Sequence, residues 1–268
     1  MKIIRFITKK GITCFGEIGK AGETAARIIE GDILGDFTVT DRIERVERIL
    51  APIDPPNIFA LGFNYKKHAE EADTKPPEIP EVFMKATSSV TGPGAQIVLP
   101  KAGADEVDYE AEFAVIIGKT AKNVTPKEAR RHIVGYCCAN DVSARDWQWK
   151  KQKMQWVRAK SFDTFCPLGP WIVTKEEITD PQNLAIRLLH NGKVMQESNT
   201  GNMIFDVFHI VSDLSASVTL LPGTVILTGT PEGVGFTRKP PVFLSKGDEV
   251  TVYIEGIGML TNIVTKEN

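Results

Sequence analysis

Short apolar segments, separated by turns rich in glycine, proline and asparagine, dominate this chain of 268 residues. Segments that are rich in β-branched and aromatic residues and end at turn residues predict β-strands. The predicted strands are Lys2–Phe6, Thr13–Glu17, Asn57–Leu61, Val82–Lys85, Gln96–Leu99, Tyr109–Ile117, Ile133–Ala139, Ile172–Thr174, Ala185–His190, Lys193–Glu197, Val225–Thr228, Glu249–Glu255 and Met259–Val264. Asn191-Gly192 is a strong signal for a hairpin turn, and Gly256–Gly258 predicts another.

Helical periodicity is much rarer along the chain. The predicted helices are Tyr65–Ala72, a helix start at Pro126–His132, and Met203–Ala216, which has the most regular apolar stripe. We expect Asn64 to be the N-cap of the first helix and Thr125 that of the second. Asp41–Leu50 fits either a short helix or a strand, and Arg145–Met154 is helical or irregular.

The succession of many strands and hairpins with few helices predicts a mixed, mainly β fold. Prolines stop regular structure, so the segment Pro52–Pro56 marks a junction. We therefore predict a small N-terminal domain, residues 1–55, and a strand-rich domain, residues 56–268. Glycine-rich phosphate-binding motifs and a Gly-x-Ser-x-Gly elbow are absent from the sequence, which argues against nucleotide-binding folds and serine hydrolases.

Composition narrows the class of protein further. The apolar fraction of 42% is ordinary for a globular protein, and the net charge of −2 gives no reason to expect nucleic acid or an anionic membrane as a partner. Apolar runs are too short to cross a bilayer, and the first residues do not resemble a secretory signal. We expect a cytoplasmic protein whose four cysteines are reduced core thiols, since no Cys-x-x-Cys pair is present.

Three acidic residues carry the main chemical signal: Glu110, Glu112 and Asp141. Side chains alternate between the faces of a strand, so Glu110 and Glu112 should point the same way. Carboxylates beside the apolar run Phe113–Ile117 would repel one another and lose hydration, and a hard divalent cation would relieve both costs. Oxygen ligands suit Mg²⁺ or Mn²⁺, with Ca²⁺ also possible. The alternative is that both glutamates face water on an edge strand.

Further polar residues follow Asp141, which itself comes directly after an apolar strand. Arg145 could pair with a carboxylate, and Gln148 could bond a carbonyl or a hydroxyl group. The alternative for Arg145 is a surface ion pair with Asp146 or Asp141. Lys160 is either a fixed cation near the acids or an exposed lysine.

A candidate acid–base pair lies on the first predicted helix. His68 and Glu71 are three residues apart, so they share a face, and a carboxylate beside an imidazole orients it and raises its basicity. A chance pair on an exposed helix is the alternative. Thr230 lies in the glycine-rich stretch Gly229–Gly235, which either lets a ligand approach the backbone closely or simply forms a tight turn.

Taken together, several segments resemble the fumarylacetoacetate hydrolase family, and they occur in the family's order from about residue 57 to the C-terminus. The matching segments are Leu61–His68, Val82–Lys85, Gly92–Gly94, Asp108–Ala114, Asn140–Asp146, Ala159–Thr164 and Thr228–Gly235. The mammalian fumarylacetoacetate hydrolase has an additional aspartate ligand upstream of its histidine. Residues Ala60–Tyr65 contain no acid here, which places the chain with the smaller three-carboxylate relatives.

The resemblance implies a β-roll or sandwich fold peculiar to the family, usually found as a homodimer. It implies that Glu110, Glu112 and Asp141 are divalent-metal ligands. It assigns catalytic roles to His68, Glu71 and Lys160, and substrate contacts to Arg145, Gln148 and Thr230.

A metal site of this kind points to chemistry on a small 2-oxo acid through a metal-stabilised enolate. If His68 and Glu71 activate a water molecule, an acylpyruvate would be hydrolysed. If the leaving fragment is a carboxylate, oxaloacetate would be decarboxylated. If a proton is merely moved, an unsaturated 2-oxo diacid of the hydroxymuconate type would be isomerised. A non-catalytic scaffold with the same fold is the alternative from another class.

Overall fold

Apolar strands form most of the computed structural model, which describes residues 1–102 and 105–267. The strands are β1 Lys2–Thr8, β2 Thr13–Ile18, β3 Ala25–Gly31, β4 Phe37–Ile49, β5 Ile58–Gly62, β6 Glu81–Lys85, β7 Val90–Thr91, β8 Gln96–Leu99, β9 Val107–Asp108, β10 Ala111–Ile117, β11 Ile133–Asn140, β12 Ser143–Ala144, β13 Cys166–Thr174, β14 Ala185–His190, β15 Lys193–Asn199, β16 Val225–Leu227, β17 Glu249–Ile254 and β18 Gly258–Lys266. The α-helices are α1 Lys66–Glu71, α2 Pro126–Ala129, α3 Trp156–Ala159 and α4 Val207–Ser217. The predicted mainly β class is confirmed.

The main sheet has the strand order β2-β3-β4-β1-β13-β11-β10-β16-β5-β6. Every residue of β10 is buried, because this strand lies between β11 and β16 and both of its faces are covered. Alternate residues of β10 belong to two apolar clusters, with Phe113 and Val115 in one and Ala114 and Ile116 in the other. The acidic residues next to β10 are therefore anchored to the centre of the fold.

A second sheet, with the order β15-β14-β17-β18-β8, contributes to the same core. Ile186 and Leu188 of β14 and Val252 of β17 belong to the apolar cluster that includes Phe113 and Val115. The turn at Asn191-Gly192 joins β14 to β15, and both residues have positive φ values, 51° and 76°. The hairpin predicted there is confirmed.

Asp41–Leu50, predicted as either a short helix or a strand, lies mostly within strand β4. Other local predictions need correction. The single strand predicted at Tyr109–Ile117 is split into β9 and β10, with Glu110 between them. Asn64 does not cap α1; its side chain instead binds the backbone of Phe205 and the carbonyl oxygen of Thr228. An asparagine before a helix predicts a local cap. The partners of Asn64 are distant in sequence, so no local pattern could predict them.

The helix predicted at Met203–Ala216 begins later, at Val207, because the side chain of Asp206 caps it by accepting a hydrogen bond from His209 N at 2.8 Å. Thr125 forms the expected capping box with Glu128 at the start of α2. Residues 146–151, within the segment expected to be helical or irregular, form a short π-helix.

Strands β1–β4 form an antiparallel meander, and β1 also pairs with β13 at the Lys2–Val173 and Ile3–Ile172 positions. The predicted division near residue 55 stays a prediction, since the main sheet continues across it. Cys137, Cys138 and Cys166 are buried and Cys14 is half-buried, and none forms a disulfide within the described residues. Among residues 1–102 and 105–267, no helix has the length and apolar character needed to cross a membrane.

Candidate active site

The antiparallel register of β10 and β11 brings the three acidic residues together. Ala111 pairs with Asn140, so Glu110 just before β10 lies beside Asp141 just after β11, and Asp141 N donates to the Glu110 carbonyl at 2.9 Å. One carboxylate oxygen from each of Glu110, Glu112 and Asp141 lies within 4.8 Å of those of the other two. All three side chains are buried, so the alternative of a solvated edge strand is wrong. We call these three residues the acid centre.

Two buried lysines contact the acid centre. Lys160, which follows α3, donates from Nζ to Glu110 Oε2 and to Asp141 Oδ2, each at 2.7 Å. It is buried, so the alternative of an exposed lysine is wrong. Lys85, at the end of β6, donates to the other carboxylate oxygen, Asp141 Oδ1.

The sequence reasoning missed Lys85. A signal was available, because strand alternation puts Lys85 on the same face of β6 as the buried Phe83, away from the exposed Val82 and Met84. A lysine at an inward-facing position of a strand is rarely buried without a charged partner.

Arg145 lies on the other side of Glu110 and is also buried. Its guanidinium donates to Glu110 Oε1 at 2.5 Å, to Asp108 Oδ2 at 3.0 Å and to Gln148 Oε1 at 2.8 Å. The alternative of a surface pair is therefore wrong; Asp146 instead pairs with Lys151. Asp108, which sequence reasoning did not single out, links Arg145 to the main chain of Gly235 and Phe236.

The two glutamates of the acid centre have opposite electrostatic environments. Burial raises the pKa of Glu110, but the charges of Lys160 and Arg145 outweigh burial and hold it well below its ordinary value. Burial raises the pKa of Glu112, and the nearby charges of Asp141 and Glu110 raise it further. Glu112 Oε2 accepts a hydrogen bond from Gly229 N at 2.6 Å, whereas Oε1 has no partner among the described residues.

This balance of charge tests whether the acid centre fits a metal ion. Among the described residues, the buried carboxyls of Asp108 and the acid centre face three buried cations, Lys85, Lys160 and Arg145. The sequence argument that a metal alone relieves the repulsion is thus incomplete, because these cations already do much of it. The cations do not contact Glu112 Oε1, a buried oxygen without a hydrogen-bond partner among the described residues. The three carboxylates offer only oxygen ligands, and such a site fits a hard divalent cation.

The structure also brings His68 and Glu71 together on α1. His68 Nδ1 lies 2.8 Å from Glu71 Oε1, and His68 is buried although its helix is at the surface. Glu71 Oε2 in turn accepts a hydrogen bond from Gly233 N at 2.9 Å. The alternative of a chance pair on an exposed helix is wrong, because His68 is buried and the Gly233 N–H binds the Glu71 carboxylate that contacts its ring. We call His68 and Glu71 the dyad.

Glu110, His68 and Lys160 line one small cavity, with a volume of about 20 Å³. Five aromatic residues form part of its wall: Phe63, Phe83, Trp149, Trp156 and Phe236. The ring of Trp156 packs so closely on Gly62 that a Cβ there would lie 2.5 Å from it. The cavity in this closed arrangement has room for about one water molecule, so a substrate enters only if part of the aromatic wall moves.

Gln148 and Thr230 line the same cavity. Gln148 Oε1 is occupied by Arg145. The hydroxyl of Thr230 accepts a hydrogen bond from Gln196 Nε2 at 2.8 Å. All the residues singled out from the sequence therefore converge on one region, where Glu110 of the acid centre and His68 of the dyad line the cavity. Their roles stay predictions.

Comparison with known proteins agrees with this geometry. Residues 57–265 match the family model described as Fumarylacetoacetate (FAA) hydrolase C-terminal. Oxaloacetate tautomerase FAHD2A, mitochondrial, from Homo sapiens is 44% identical to this chain over 256 residues, which cover 95% of this chain and 80% of that protein.

Solved structures of similar proteins include 5-carboxymethyl-2-hydroxymuconate delta-isomerase from Mycobacterium smegmatis, at 41% identity and a TM-score of 0.87 over 100% of both chains. The 2-hydroxyhepta-2,4-diene-1,7-dioate isomerase from Mycobacterium marinum is also 41% identical, with a TM-score of 0.86 over 100% of this chain and 99% of that one. The predicted family and its fold are confirmed.

Proposed function

This chain belongs to the fumarylacetoacetate hydrolase C-terminal family of enzymes, and from that premise we propose that it acts on a 2-oxo acid through an enolate, with a divalent cation. The observation that carries the proposal is the pairing of a buried acid centre with the dyad, since Glu110 and His68 line the same cavity. Enolate chemistry needs positive charge at the oxygen and a group that moves a proton.

We assign Glu110, Glu112 and Asp141 as the residues that would hold the cation, Mg²⁺ or Mn²⁺. When bound, the cation supplies the positive charge that stabilises an enolate oxygen. The unpaired Oε1 of Glu112 supports this assignment. Lys160, buried against two of the acids, adds a fixed positive charge on the same side of the cavity.

His68 is the residue we assign to proton transfer. Glu71 occupies Nδ1, so Nε2 is the ring nitrogen that we assign to accept a proton. In a tautomerisation, Nε2 would take a proton from the carbon beside the keto group, and a proton would return to oxygen. In a hydrolysis, Nε2 would take a proton from water.

Arg145, Gln148 and Thr230 are the residues we propose for substrate contact, because all three line the cavity. Arg145 already pairs with Asp108 and Glu110, so we expect it to orient Gln148 as much as to bind the substrate directly. The side-chain nitrogen of Gln148 remains available to a carbonyl or carboxylate oxygen.

The cavity wall favours a short substrate. The cationic side chains lining it, among the described residues, are Arg145 and Lys160, with His68 when protonated, and all lie by Glu110. Apart from Glu110, the other lining residues are uncharged, so a distant second carboxylate would have no charged partner there. Oxaloacetate, the substrate in the name of the human relative, fits this better than the seven-carbon diacid in the name of the Mycobacterium marinum structure.

We therefore put tautomerisation or decarboxylation of oxaloacetate first. Hydrolysis of acylpyruvates is the second candidate, since the hydrogen-bonded dyad suits activation of a water molecule. Isomerisation of hydroxymuconate-type diacids follows, supported by the names of the mycobacterial structures.

The decisive experiment compares chelator-treated protein with protein reloaded with Mg²⁺ or Mn²⁺. Enol–keto exchange of oxaloacetate, followed by ultraviolet absorbance, and pyruvate release from oxaloacetate and a panel of acylpyruvates are measured on both samples. We expect turnover of at least one substrate only after reloading. Full activity in the chelator-treated sample would rule out the metal role, and no turnover of any substrate in the panel would rule out the first two candidates.

A homodimer and a cytoplasmic location remain predictions. The name of the human relative places that protein in mitochondria. Light scattering on the purified protein would test the dimer, and fractionation of the source cells would test the location.

A further inference from the structure

Arg238 lies outside the residues singled out above, yet it holds the loop that reaches the dyad. This glycine-rich loop runs from Gly229 to Arg238. The Arg238 side chain folds back and donates from Nη2 to the Gly233 carbonyl at 3.0 Å and to the Met195 carbonyl of β15. Its Nε lies 3.3 Å from the hydroxyl of Tyr109. One guanidinium therefore joins the loop to two other parts of the fold.

Gly233 connects this anchor to the dyad. Its carbonyl accepts from Arg238, while its N–H donates to Glu71 Oε2 at 2.9 Å. The φ of Gly233 is +99°, and a Cβ there would lie 2.3 Å from the Met195 carbonyl oxygen. Gly233 is thus pressed against β15 in a conformation that suits glycine. Its N–H and its carbonyl belong to adjacent peptide planes that meet at the Gly233 Cα, so holding the carbonyl restricts where the N–H points.

The parts of the loop before and after Gly233 are held by other groups. Gln196, which is buried, donates to the Thr230 hydroxyl and to the Pro231 carbonyl. Asp108 accepts hydrogen bonds from Gly235 N and Phe236 N. Because these contacts do not involve Arg238, its removal should release the Gly233 peptide without dismantling the acid centre.

We propose that Arg238 is a positioning residue for proton transfer: by holding Gly233 it fixes Glu71, and through Glu71 it fixes the ring of His68. The inference rests on the proposed function for its kinetic test only. Displacement of a positioned group by about 1 Å can lower a rate by as much as 10²-fold. A small shift of the His68 ring that follows the loss of Arg238 should therefore be measurable in kcat.

The kinetic test is the variant Arg238→Met, assayed with oxaloacetate in the presence of Mn²⁺. We expect kcat to fall on the order of 10- to 100-fold, with KM and the Mn²⁺ affinity from calorimetry unchanged. Arg238→Lys can restore only part of the hydrogen bonding of a guanidinium, so its kcat should lie between those of wild type and Arg238→Met. Combining Arg238→Met with Glu71→Gln should add little to the loss from Glu71→Gln alone.

A matched control is Arg130→Met. Arg130 also donates to backbone carbonyls of a distant loop, those of Lys175, Ile178 and Thr179, and it does not line the cavity. We expect a similar loss of thermal stability with unchanged kcat. Equal kcat values for the two variants, a loss of Mn²⁺ binding in Arg238→Met, or fully additive losses with Glu71→Gln would each overturn the proposal.

A second measurement keeps the inference testable if no substrate is turned over. In chelator-treated protein, the ring signals of His68 in NMR spectra should move in Arg238→Met and stay in place in Arg130→Met, with His68→Gln used for assignment. If Arg238→Met does not fold, Arg238→Lys serves instead, since it keeps a long cationic side chain but only part of the hydrogen bonding of the guanidinium. Unmoved His68 signals would overturn the positioning role whatever the fate of the proposed function.

Discussion

The acid centre and the dyad lie beside the same cavity but are held by different kinds of structure. Glu112 is in the central strand β10, and Glu110 and Asp141 flank the paired ends of β10 and β11. The dyad is on the six-residue helix α1, and Glu71 is held by the Gly233 N–H and the Thr237 hydroxyl of one loop. The acid centre is fixed by the full set of backbone hydrogen bonds between β10 and β11, whereas the dyad depends on a few single contacts.

The difference teaches where rigidity is needed. Under the proposed function the three carboxylates share a cation and must stay close despite mutual repulsion. They are attached to strands, with buried lysines as counter-charges. A group that transfers a proton must meet a substrate that has to enter first, and short helices and loops open more readily than core strands. The predictions below separate the two groups.

The largest effect should come from the acid centre. Glu112→Gln keeps the size of the side chain but removes a metal ligand, so we expect activity to fall about 10³-fold or more, together with Mg²⁺ or Mn²⁺ binding. Calorimetric metal titration and turnover are the measurements. Loss of turnover with metal binding intact would contradict the ligand role.

Stability of the metal-free protein separates the two glutamates of that centre. Because the folded protein raises the pKa of Glu112 above 4.5, wild type should lose stability as pH rises past that value, and Glu112→Gln should escape this loss. Glu110→Gln should instead be destabilised at neutral pH, since the pKa of Glu110 is lowered by Lys160 and Arg145 despite burial. Thermal melts against pH would show these opposite signs, and equal behaviour would refute the charge assignment.

The dyad should give the next largest effect, with metal binding retained. His68→Gln and Glu71→Gln should each lower turnover roughly 10²- to 10⁴-fold, the range for a lost acid–base group. Hydrolysis of acylpyruvates should suffer more than decarboxylation of oxaloacetate in His68→Gln, because only hydrolysis requires an activated water. Equal losses in the two reactions would argue against water activation.

Lys85 offers a test of how the acid centre is supported. Lys85→Met leaves a buried carboxylate oxygen of Asp141 without its partner, and breaking a buried ion pair in this way costs roughly 3–5 kcal/mol. Urea unfolding of the metal-free variant measures the loss. The control Lys67→Met removes an exposed pair with Glu232, which should cost about 0–1 kcal/mol; an equally small loss for Lys85→Met would contradict its supporting role.

The smallest effect concerns the thiols in the same core. Burial raises the pKa values of Cys137 and Cys166 to about 12, so at pH 8 both remain protonated and unreactive. A disulfide reagent should therefore modify only the half-buried Cys14 in the native protein, and all four cysteines after unfolding. Rapid modification of a second thiol would contradict this, because it would show that the strands around the buried cysteines open in the native protein.

Much of the site could be read from the sequence because its residues are unusual for their positions. Acids next to an apolar run, and a histidine three residues before a glutamate, conflict with an ordinary core or surface. Lys85 and Asp108 were missed because a single charged residue at a strand end is common on protein surfaces. The contacts of Arg238 carried no signal at all, since the side chain binds backbone carbonyls, which every residue has.

By itself, the sequence determined the family, the mainly β class and the candidate residues of the site, because residue types and local periodicity are written along the chain. Only the tertiary structure decided that Glu110 and Asp141 lie side by side, that Lys85 neutralises one of them, and that a loop peptide orients Glu71. These facts depend on strand register and on contacts between distant segments. Such contacts form when apolar faces pack together, and no local pattern specifies their partners.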